Sequence, residues 1–423
     1  MQTQQEAPVT DALRPQPGSD VERVYGISDC VIAVAFTLIL VNIHLPPEGL
    51  SESQLKSFIT QHLLPDLPLY LATYVVVASS WISHYRVFTY VRRSSSLFIA
   101  LNVLFLASIV FLPVPVAFFY QYGNQAGSLQ LFASTQLVTS AALLLMWIVA
   151  RTEGLLDPET PPEFLRYTTA RLVVIPLGTL LTIGIAFFNV WAAEGIYLFF
   201  YVLGWFLRHL YYRHHPGSGY LGGTVRMCSI TDNMTAVAIT FLIATITGTL
   251  LSNIHQPFSA ALKAVLGVLP AYGLSLLIVG FYWLSHHRIY LVIRRHNMTL
   301  IWLNFAFLLF IELQPLLNAL RASYPQSQLT AVLYASNQAC TGLMLLAAWL
   351  YAARGRRLVD KSLERPQVVS IAMRALLPPM VFILSIAVVF FRNGYALYLW
   401  LLVIVVEVAH LLYRRVRHAS HTN

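Results

Sequence analysis

An arginine, a hydroxyl residue and an aspartate stand together at the start of a long apolar stretch, and the same arrangement returns about two hundred residues later. Charged side chains at the edge of a membrane span are costly and must find partners. Arg23 and Asp29 are separated by six residues, about 9 Å of helix, so they lie on different faces and cannot pair with each other. They must reach neighbouring helices, either as a polar clamp that fixes helix packing or as part of a permeation path. The two triplets are Arg23, Ser28 and Asp29, and Arg226, Thr231 and Asp232.

The predicted partners of these triplets come from the next two apolar stretches of each half. They are side chains that can hydrogen-bond, and they fall at the same end of the spans as the triplets. We therefore expect them to form a structural polar network with the triplets. The partners are Trp81, His84 and Asn102 in the first half, and Trp283, His286 and Asn304 in the second.

One helical stripe continues from each triplet into its apolar stretch. Steps of four, three and four residues connect its members, so they share a single face. A β-branched apolar ring beside a hydroxyl ring suits a pore, because the first can form a dewettable constriction and the second can replace the hydration of an ion. The alternative is that Thr bonds its own preceding carbonyl and Val only packs. The stripes are Cys30, Val34, Thr37 and Val41, and Asn233, Val237, Thr240 and Ala244.

Composition identifies an integral membrane protein. Of the 423 residues, 57% are hydrophobic and 11% charged, with a mean hydropathy of +0.65, whereas a soluble domain has about 25% charged residues. The net charge of +9 fits Arg-rich cytoplasmic loops, and no basic stripe with interleaved aromatics indicates nucleic-acid binding. The three cysteines show no CxxC spacing, which argues against disulfides and a metal site.

The sequence predicts an all-α polytopic membrane protein of twelve spans. We divide it into a disordered cytoplasmic tail (1–20), a first six-helix repeat (21–213), a linker (214–222), a second six-helix repeat (223–417) and a cytoplasmic tail (418–423). Residues 48–64 are expected to be an amphipathic loop. The predicted spans, each near the ~20 residues that a bilayer requires, are 22–43, 66–90, 96–120, 128–150, 172–189, 193–212, 225–252, 264–292, 298–320, 328–352, 370–391 and 395–413.

Matching residues in the two halves indicate a tandem duplication. Trp81, His84 and Asn102 each recur 202 positions later, and Arg23 and Asp29 recur 203 positions later. An even number of spans per unit gives both units the same orientation, so the repeats are parallel. With the N-terminus inside, 23 of the 27 Lys and Arg residues fall on the inner side, which predicts that both termini are cytoplasmic.

Several kinds of activity lack support in the sequence. There is no Walker A lysine, no TVGYG filter, no arginine at every third position of a span and no recurring nucleophile–base pair. We therefore expect neither an enzyme nor a cofactor. Glu312 and Glu407 lie within apolar spans as ionisable residues without counterparts in the other repeat, since Val110 stands opposite Glu312.

The motif Arg-x-x-x-Phe-Ser-Asp at the start of the first span, with Trp-x-x-His on the second, resembles the transmembrane protein 175 family of endolysosomal and bacterial potassium channels. Ile27 and Ile230 stand where the family has Phe, and Thr231 where it has Ser. The resemblance covers about residues 22–415. It implies a homodimer among membrane lipids, in a bacterial plasma membrane or an endolysosomal membrane, whose pore is lined by the first helix of each repeat.

The resemblance also implies roles for single residues. The constriction falls on Val34 and Val237, and the selectivity layer on Thr37 and Thr240. We assign the remaining pore-lining positions to Leu38, Val41, Phe241 and Ala244.

Two functions remain open at this point. The first is passive conduction of K⁺ as the permeant ion. The second is a secondary transporter, because six-plus-six parallel repeats also describe that architecture. Aspartates at the cytoplasmic ends rather than at the midplane favour the channel.

Overall fold

The computed structural model describes residues 19–122, 125–215, 221–222, 224–391 and 398–402. The predicted all-α class is confirmed, and the only strands in this part of the chain are β1 (Leu221–Gly222) and β2 (Arg295–His296), which pair antiparallel. The α-helices are α1 (Ser19–Leu40), α2 (Glu52–Phe58), α3 (Leu64–Tyr90), α4 (Ser96–Phe111), α5 (Pro113–Tyr122), α6 (Ala126–Thr152), α7 (Pro162–Ala186), α8 (Val190–His214), α9 (Val225–Phe241), α10 (Ile243–Ser252), α11 (Phe258–Leu291), α12 (Met298–Glu312), α13 (Gln314–Ser323), α14 (Gln328–Ala353) and α15 (Arg365–Phe391).

Eleven helical segments of the described residues are long and apolar enough to cross a membrane. They coincide with the first eleven predicted spans, because uninterrupted apolar runs of this length have no other stable location. The twelfth predicted span, 395–413, lies mostly outside the described residues, as do nearly all of the N-terminal tail, the C-terminal tail and most of the linker.

The prediction of a loop over 48–64 is wrong. Helix α2 begins after Ser51, whose hydroxyl accepts from the Gln54 N–H while the Gln54 side chain accepts from the Ser51 N–H. This reciprocal capping box satisfies two backbone donors and starts a helix. A π-helical turn, Ile59–Leu63, then joins α2 to α3.

Prolines divide two of the spans into two helices each. Pro113 begins α5 directly after Leu112, and Pro315 lies in the first turn of α13. Proline removes a backbone donor and clashes with the carbonyl one turn earlier, so the helix bends there. The second break leaves Glu312 at the very end of α12.

The chain forms two compact units. One comprises 1–35 and 76–214, and the other 36–75 and 215–423. The end of α1, helix α2 and the start of α3 therefore group with the second half of the sequence. The boundaries of the two sequence repeats remain a prediction.

The duplication is visible in equivalent loops of the two units. In the first unit an antiparallel bridge joins Val91 to Leu156, and Arg92 binds Asp157 at 2.8 Å. In the second unit the corresponding bridge joins Ile293 to Val359. The ion pair that accompanies it is Arg294–Asp360, at 3.0 Å.

Candidate functional site

A chain of hydrogen bonds fixes the start of α1 in the first unit. His84 Nε2 donates to Asn102 Oδ1 at 2.9 Å, and Asn102 Nδ2 donates to the Ser28 hydroxyl at 3.0 Å. Ser28 in turn donates to the Val24 carbonyl at 2.6 Å, one turn earlier in its own helix. Beside this chain, Trp81 Nε1 donates to Asp29 Oδ1 at 2.8 Å. Helices α3 and α4 thus hold α1 through side chains that are all buried.

The second unit repeats these bonds on α9. His286 Nε2 donates to Asn304 Oδ1 at 2.9 Å, and Asn304 Nδ2 donates to Thr231 Oγ1, also at 2.9 Å. Trp283 Nε1 donates to Asp232 Oδ1 at 2.7 Å. Threonine replaces serine without loss, because both offer one hydroxyl that accepts and donates.

The two networks differ in their exposure to solvent. Asp29 is fully buried, whereas Asp232 is exposed. Arg23 is exposed and makes no hydrogen bond or ion pair with the described residues, whereas Arg226 is buried. The predicted network therefore includes Arg23 only by proximity in sequence. Within each unit the structure joins the Trp to the Asp, and the His and Asn to the Ser or Thr.

One face of α1 is left open along its length. Val34 and Leu38 are half-buried and Val41 is 65% exposed, while Cys30 continues the same face toward the start of the helix. Thr37 shares this side of the helix with Val34 and Val41, but its side chain is fully buried. The stripe predicted from sequence thus divides: its apolar members point outward, and its hydroxyl points inward.

The open face of α9 and α10 has a different composition. Val237 and Phe241 are half-buried. On α9 the exposed side chains of this face are small or polar, which permits close approach of another helix or of water. On α10 small and polar positions alternate with the exposed apolar side chains of Ile243, Leu250 and Leu251. The small and polar positions are Asp232, Ala236, Thr240, Ala244, Thr247 and Gly248.

The exposed face of helix α8 provides a comparison for the exposed face of α9–α10. Its exposed side chains are large and apolar, as expected for contact with lipid. The contrast distinguishes the small and polar exposed face of α9 from that of α8, whereas α10 exposes side chains of both kinds. The exposed residues of α8 include Trp191, Leu198, Phe199, Val202, Trp205 and Phe206.

The buried hydroxyl of Thr37 has an unexpected partner. Thr37 Oγ1 donates to Glu312 Oε2 at 2.6 Å, and both side chains are fully buried. The other carboxyl oxygen, Oε1, has no hydrogen-bond partner among the described residues. Thr240, the equivalent of Thr37, instead donates to the Val237 carbonyl in its own helix at 2.7 Å. The two threonines of the predicted selectivity layer therefore have different environments.

A second polar cluster in the same unit was not predicted from the sequence. Asn318 Nδ2 donates to Thr245 Oγ1 at 3.1 Å, and Ser275 donates to Asn318 Oδ1 at 2.6 Å. Thr245 and Asn318 each lie fourteen residues beyond Thr231 and Asn304, close to four helical turns, so both pairs fall on one face. The second candidate pore helix, α9–α10, is thus held by hydrogen bonds at two positions along its length. The two threonines and the two asparagines have the same spacing of fourteen residues, and this equal spacing is the sequence signal that could have predicted the second cluster.

No metal centre is present among the described residues, since no three His, Cys, Asp or Glu side chains lie together in a position to hold an ion. The sequence-predicted pore residues thus fall on two open faces, one on α1 and one on α9–α10, and each helix is held by its own polar network.

Comparison with known proteins also indicates that the chain contains a duplicated unit. The sequence model described as "Endosomal/lysosomal potassium channel TMEM175" matches residues 23–113 and again residues 226–315. Each match begins at the arginine of a triplet. The resemblance to this family, which is one of channels and not of enzymes, is confirmed in both halves.

Individual relatives match one half or most of the chain. A protein of Streptomyces collinus named as a potassium channel is 29% identical over 42% of this chain and 90% of its own length. The rat protein named "Endosomal/lysosomal proton channel TMEM175" is 23% identical over 70% of this chain and 65% of its own length. The crystal structure of a lysosomal potassium-selective channel TMEM175 homolog from Chamaesiphon minutus is 23% identical, covers 45% of this chain and 97% of its own, and has a TM-score of 0.37.

Proposed function

We propose that this chain is a channel that conducts K⁺ passively across a membrane, and that α1 and α9–α10 line its pore. The observation that carries the proposal is the open face of α9–α10, where Thr240, Ala244 and Gly248 are exposed. A lipid-facing helix would present large apolar side chains there, as α8 does. Small and polar residues suit a helix that faces water or another helix.

The open faces also support a homodimer. One chain provides two such helices, and two helices cannot enclose a pore by themselves. A second copy supplies two more, which gives four pore helices around a shared axis. The match of each half to the same family sequence model supports an equivalent role for both halves.

Within this pore, Val34 and Val237 form the constriction. Both are half-buried on the open faces, and an apolar ring of this size can exclude water when closed. Leu38, Val41, Phe241 and Ala244 line the path beside it.

We place the hydroxyl layer mainly on Thr240. Thr240 is exposed, and its Oγ1 can turn between its own helix and an ion. Thr37 is buried, and its hydroxyl proton is used by Glu312. The sequence predicts two threonines per chain in this layer. We propose instead that only the exposed Thr240 contacts the ion, while Thr37 is buried.

Protons are the second ion to consider, because the mammalian relatives are named as proton channels. A secondary transporter remains the alternative from a different class. Recording of single-channel currents separates these: a channel gives resolvable unitary currents carried by K⁺ or H⁺, whereas a transporter gives slow, saturable flux.

A further inference from the structure

Three arginines are gathered in the first unit, on helices α3, α7 and α8. Arg86 lies four residues before the end of α3, Arg171 nine residues after the start of α7, and Arg208 six residues before the end of α8. Arg86 is 6% exposed, and the other two are half-buried. Hydrogen bonds bring them together: Arg86 bonds Tyr212, four residues after Arg208 on α8, and Arg171 bonds Ser83, three residues before Arg86 on α3.

No carboxylate compensates these charges among the described residues. The ion pairs found there are Arg92–Asp157, Arg294–Asp360 and His44–Asp66, and none involves the three arginines. Buried like charges repel one another and lose hydration, which is costly without a counter-charge. The surroundings thus lack the negative charge that such a cluster needs.

The neutral partners of the cluster are hydroxyls and one aromatic ring. Arg86 Nη1 donates to the Tyr212 hydroxyl at 2.6 Å, and its guanidinium lies 5.0 Å from the centroid of that ring. Arg171 Nη2 donates to the Ser83 hydroxyl at 3.1 Å. A cation–π contact stabilises the guanidinium, but it does not neutralise its charge.

Most of the donors in the cluster remain available. A guanidinium has five N–H groups, and within the described residues Arg86 and Arg171 each use one in these bonds. Arg86 Nε is buried without a partner there, and Arg208 makes no hydrogen bond to a described residue. Forked N–H donors match the oxygens of a phosphate group, which can accept several of them at once.

The position of the cluster in the fold indicates where such a phosphate would come from. The ends of α3 and α8 and the start of α7 meet at one boundary of the predicted membrane. Tyrosines surround the cluster, and Tyr167 and Tyr211 stack at 4.0 Å. Tyrosine is enriched where membrane meets water, and basic pockets between spans at that depth bind anionic headgroups.

We propose that Arg86, Arg171 and Arg208 form a binding site for a phosphate group, provided by the headgroup of an anionic phospholipid. This site is separate from the pore and does not depend on the proposed channel function.

The test is native mass spectrometry on the purified full-length protein with three probes: dioctanoyl phosphatidylglycerol, dioctanoyl phosphatidylcholine and inorganic phosphate. The anionic lipid should bind roughly tenfold or more tightly than the zwitterionic one. Arg171→Gln should weaken binding of the anionic lipid by roughly tenfold, since one charged hydrogen bond contributes about 1.5 kcal/mol or more. Arg171→Lys, which keeps the charge but not the fork, should fall between.

Arg166→Gln is the matched control, because Arg166 lies on the same helix α7 but is exposed. It should change the affinity less than twofold. If Arg171→Gln fails to fold, Arg208→Gln at a half-buried position has the same expected effect. Competition by inorganic phosphate at equal concentration would assign the site to free phosphate instead of lipid. Equal effects of Arg166→Gln and Arg171→Gln, equal binding of the two lipids, or no binding of any probe would overturn the proposal.

Discussion

Thr37 Oγ1 and Glu312 Oε2 lie 2.6 Å apart, although 275 residues separate them in the chain. The bond joins the first span to the end of α12, at the point where Pro315 forces a break. It directs the Thr37 hydroxyl away from the open face of α1. One of the two threonines predicted to contact ions is therefore engaged by a carboxyl group.

Replacing Thr37 by Val should destabilise the protein by about 1–3 kcal/mol, because Glu312 then has no hydrogen-bond donor in a buried position. The double variant Thr37→Val with Glu312→Val should recover most of this loss, since both polar groups are gone. Thermal unfolding of the four proteins in detergent measures the coupling. Additive losses would show that the two side chains do not interact.

Selectivity should depend more on Thr240 than on Thr37. Thr240→Val removes an exposed hydroxyl, and we expect the preference for K⁺ over Na⁺ to fall. Thr37→Val removes a hydroxyl that points away from the open face, so its effect on selectivity should be smaller. Bi-ionic reversal potentials of the two variants give the comparison. A larger shift for Thr37→Val would remove the assignment of Thr240 to the hydroxyl layer.

Replacing Val34 and Val237 by Ser should raise the unitary conductance by about twofold or more, because a polar ring no longer excludes water. Val202→Ser is the matched control, since Val202 is 61% exposed on α8 and lies outside the proposed pore. Planar-bilayer recordings measure the conductance. An increase in the control as large as in the pore variant would contradict the constriction.

The two Trp–Asp bonds should differ in strength. Trp81→Phe leaves the buried Asp29 with one donor fewer, at a cost of about 1.5–3 kcal/mol. Trp283→Phe should cost less than about 1 kcal/mol, because water can replace the donor at the exposed Asp232. Melting temperatures provide the measurement, with Trp191→Phe on the exposed face of α8 as the control. Equal losses at the two sites would contradict the difference in burial.

The loop ion pairs should not affect flux near neutral pH. Backbone and side-chain hydrogen bonds from Ser362, with a further bond from Arg294, hold the pKa of Asp360 down to about 2 from 3.8. The stability that this bond gives is complete above the ordinary pKa and is lost only as the pH falls toward 2. Asp360→Asn should therefore leave the pH dependence of K⁺ flux between pH 5 and 8 unchanged. A change in that range, followed by fluorescence in liposomes, would show that the loop takes part in gating.

The sequence was sufficient for the approximate positions of the described membrane-length helices and for the equivalent networks, but not for α2, which lies in the predicted loop 48–64. Apolar runs of membrane length are stable as helices within a bilayer. The Trp, His and Asn residues recur in both halves, so a contact inferred in one half predicts the equivalent contact in the other. Thr231 with Asn304 could thus be inferred from Ser28 with Asn102.

Contacts that have no equivalent in the duplicated sequence could not be predicted in this way. Glu312 stands opposite Val110 and Asn318 opposite Val116, so the comparison of repeats gives no second copy of their bonds. Their partners, Thr37 and Thr245, are identified only by tertiary packing. The direction of the Thr37 side chain was missed for the same reason, because four-and-three spacing defines a face but not its neighbour.

The most direct test is the purified protein in liposomes with opposed K⁺ and Na⁺ gradients. We predict unitary currents whose reversal potential lies near the equilibrium potential for K⁺ and moves with the K⁺ gradient. Slow, saturable flux without unitary currents, or a reversal potential that does not follow the K⁺ gradient, would contradict the proposal of a potassium-conducting channel.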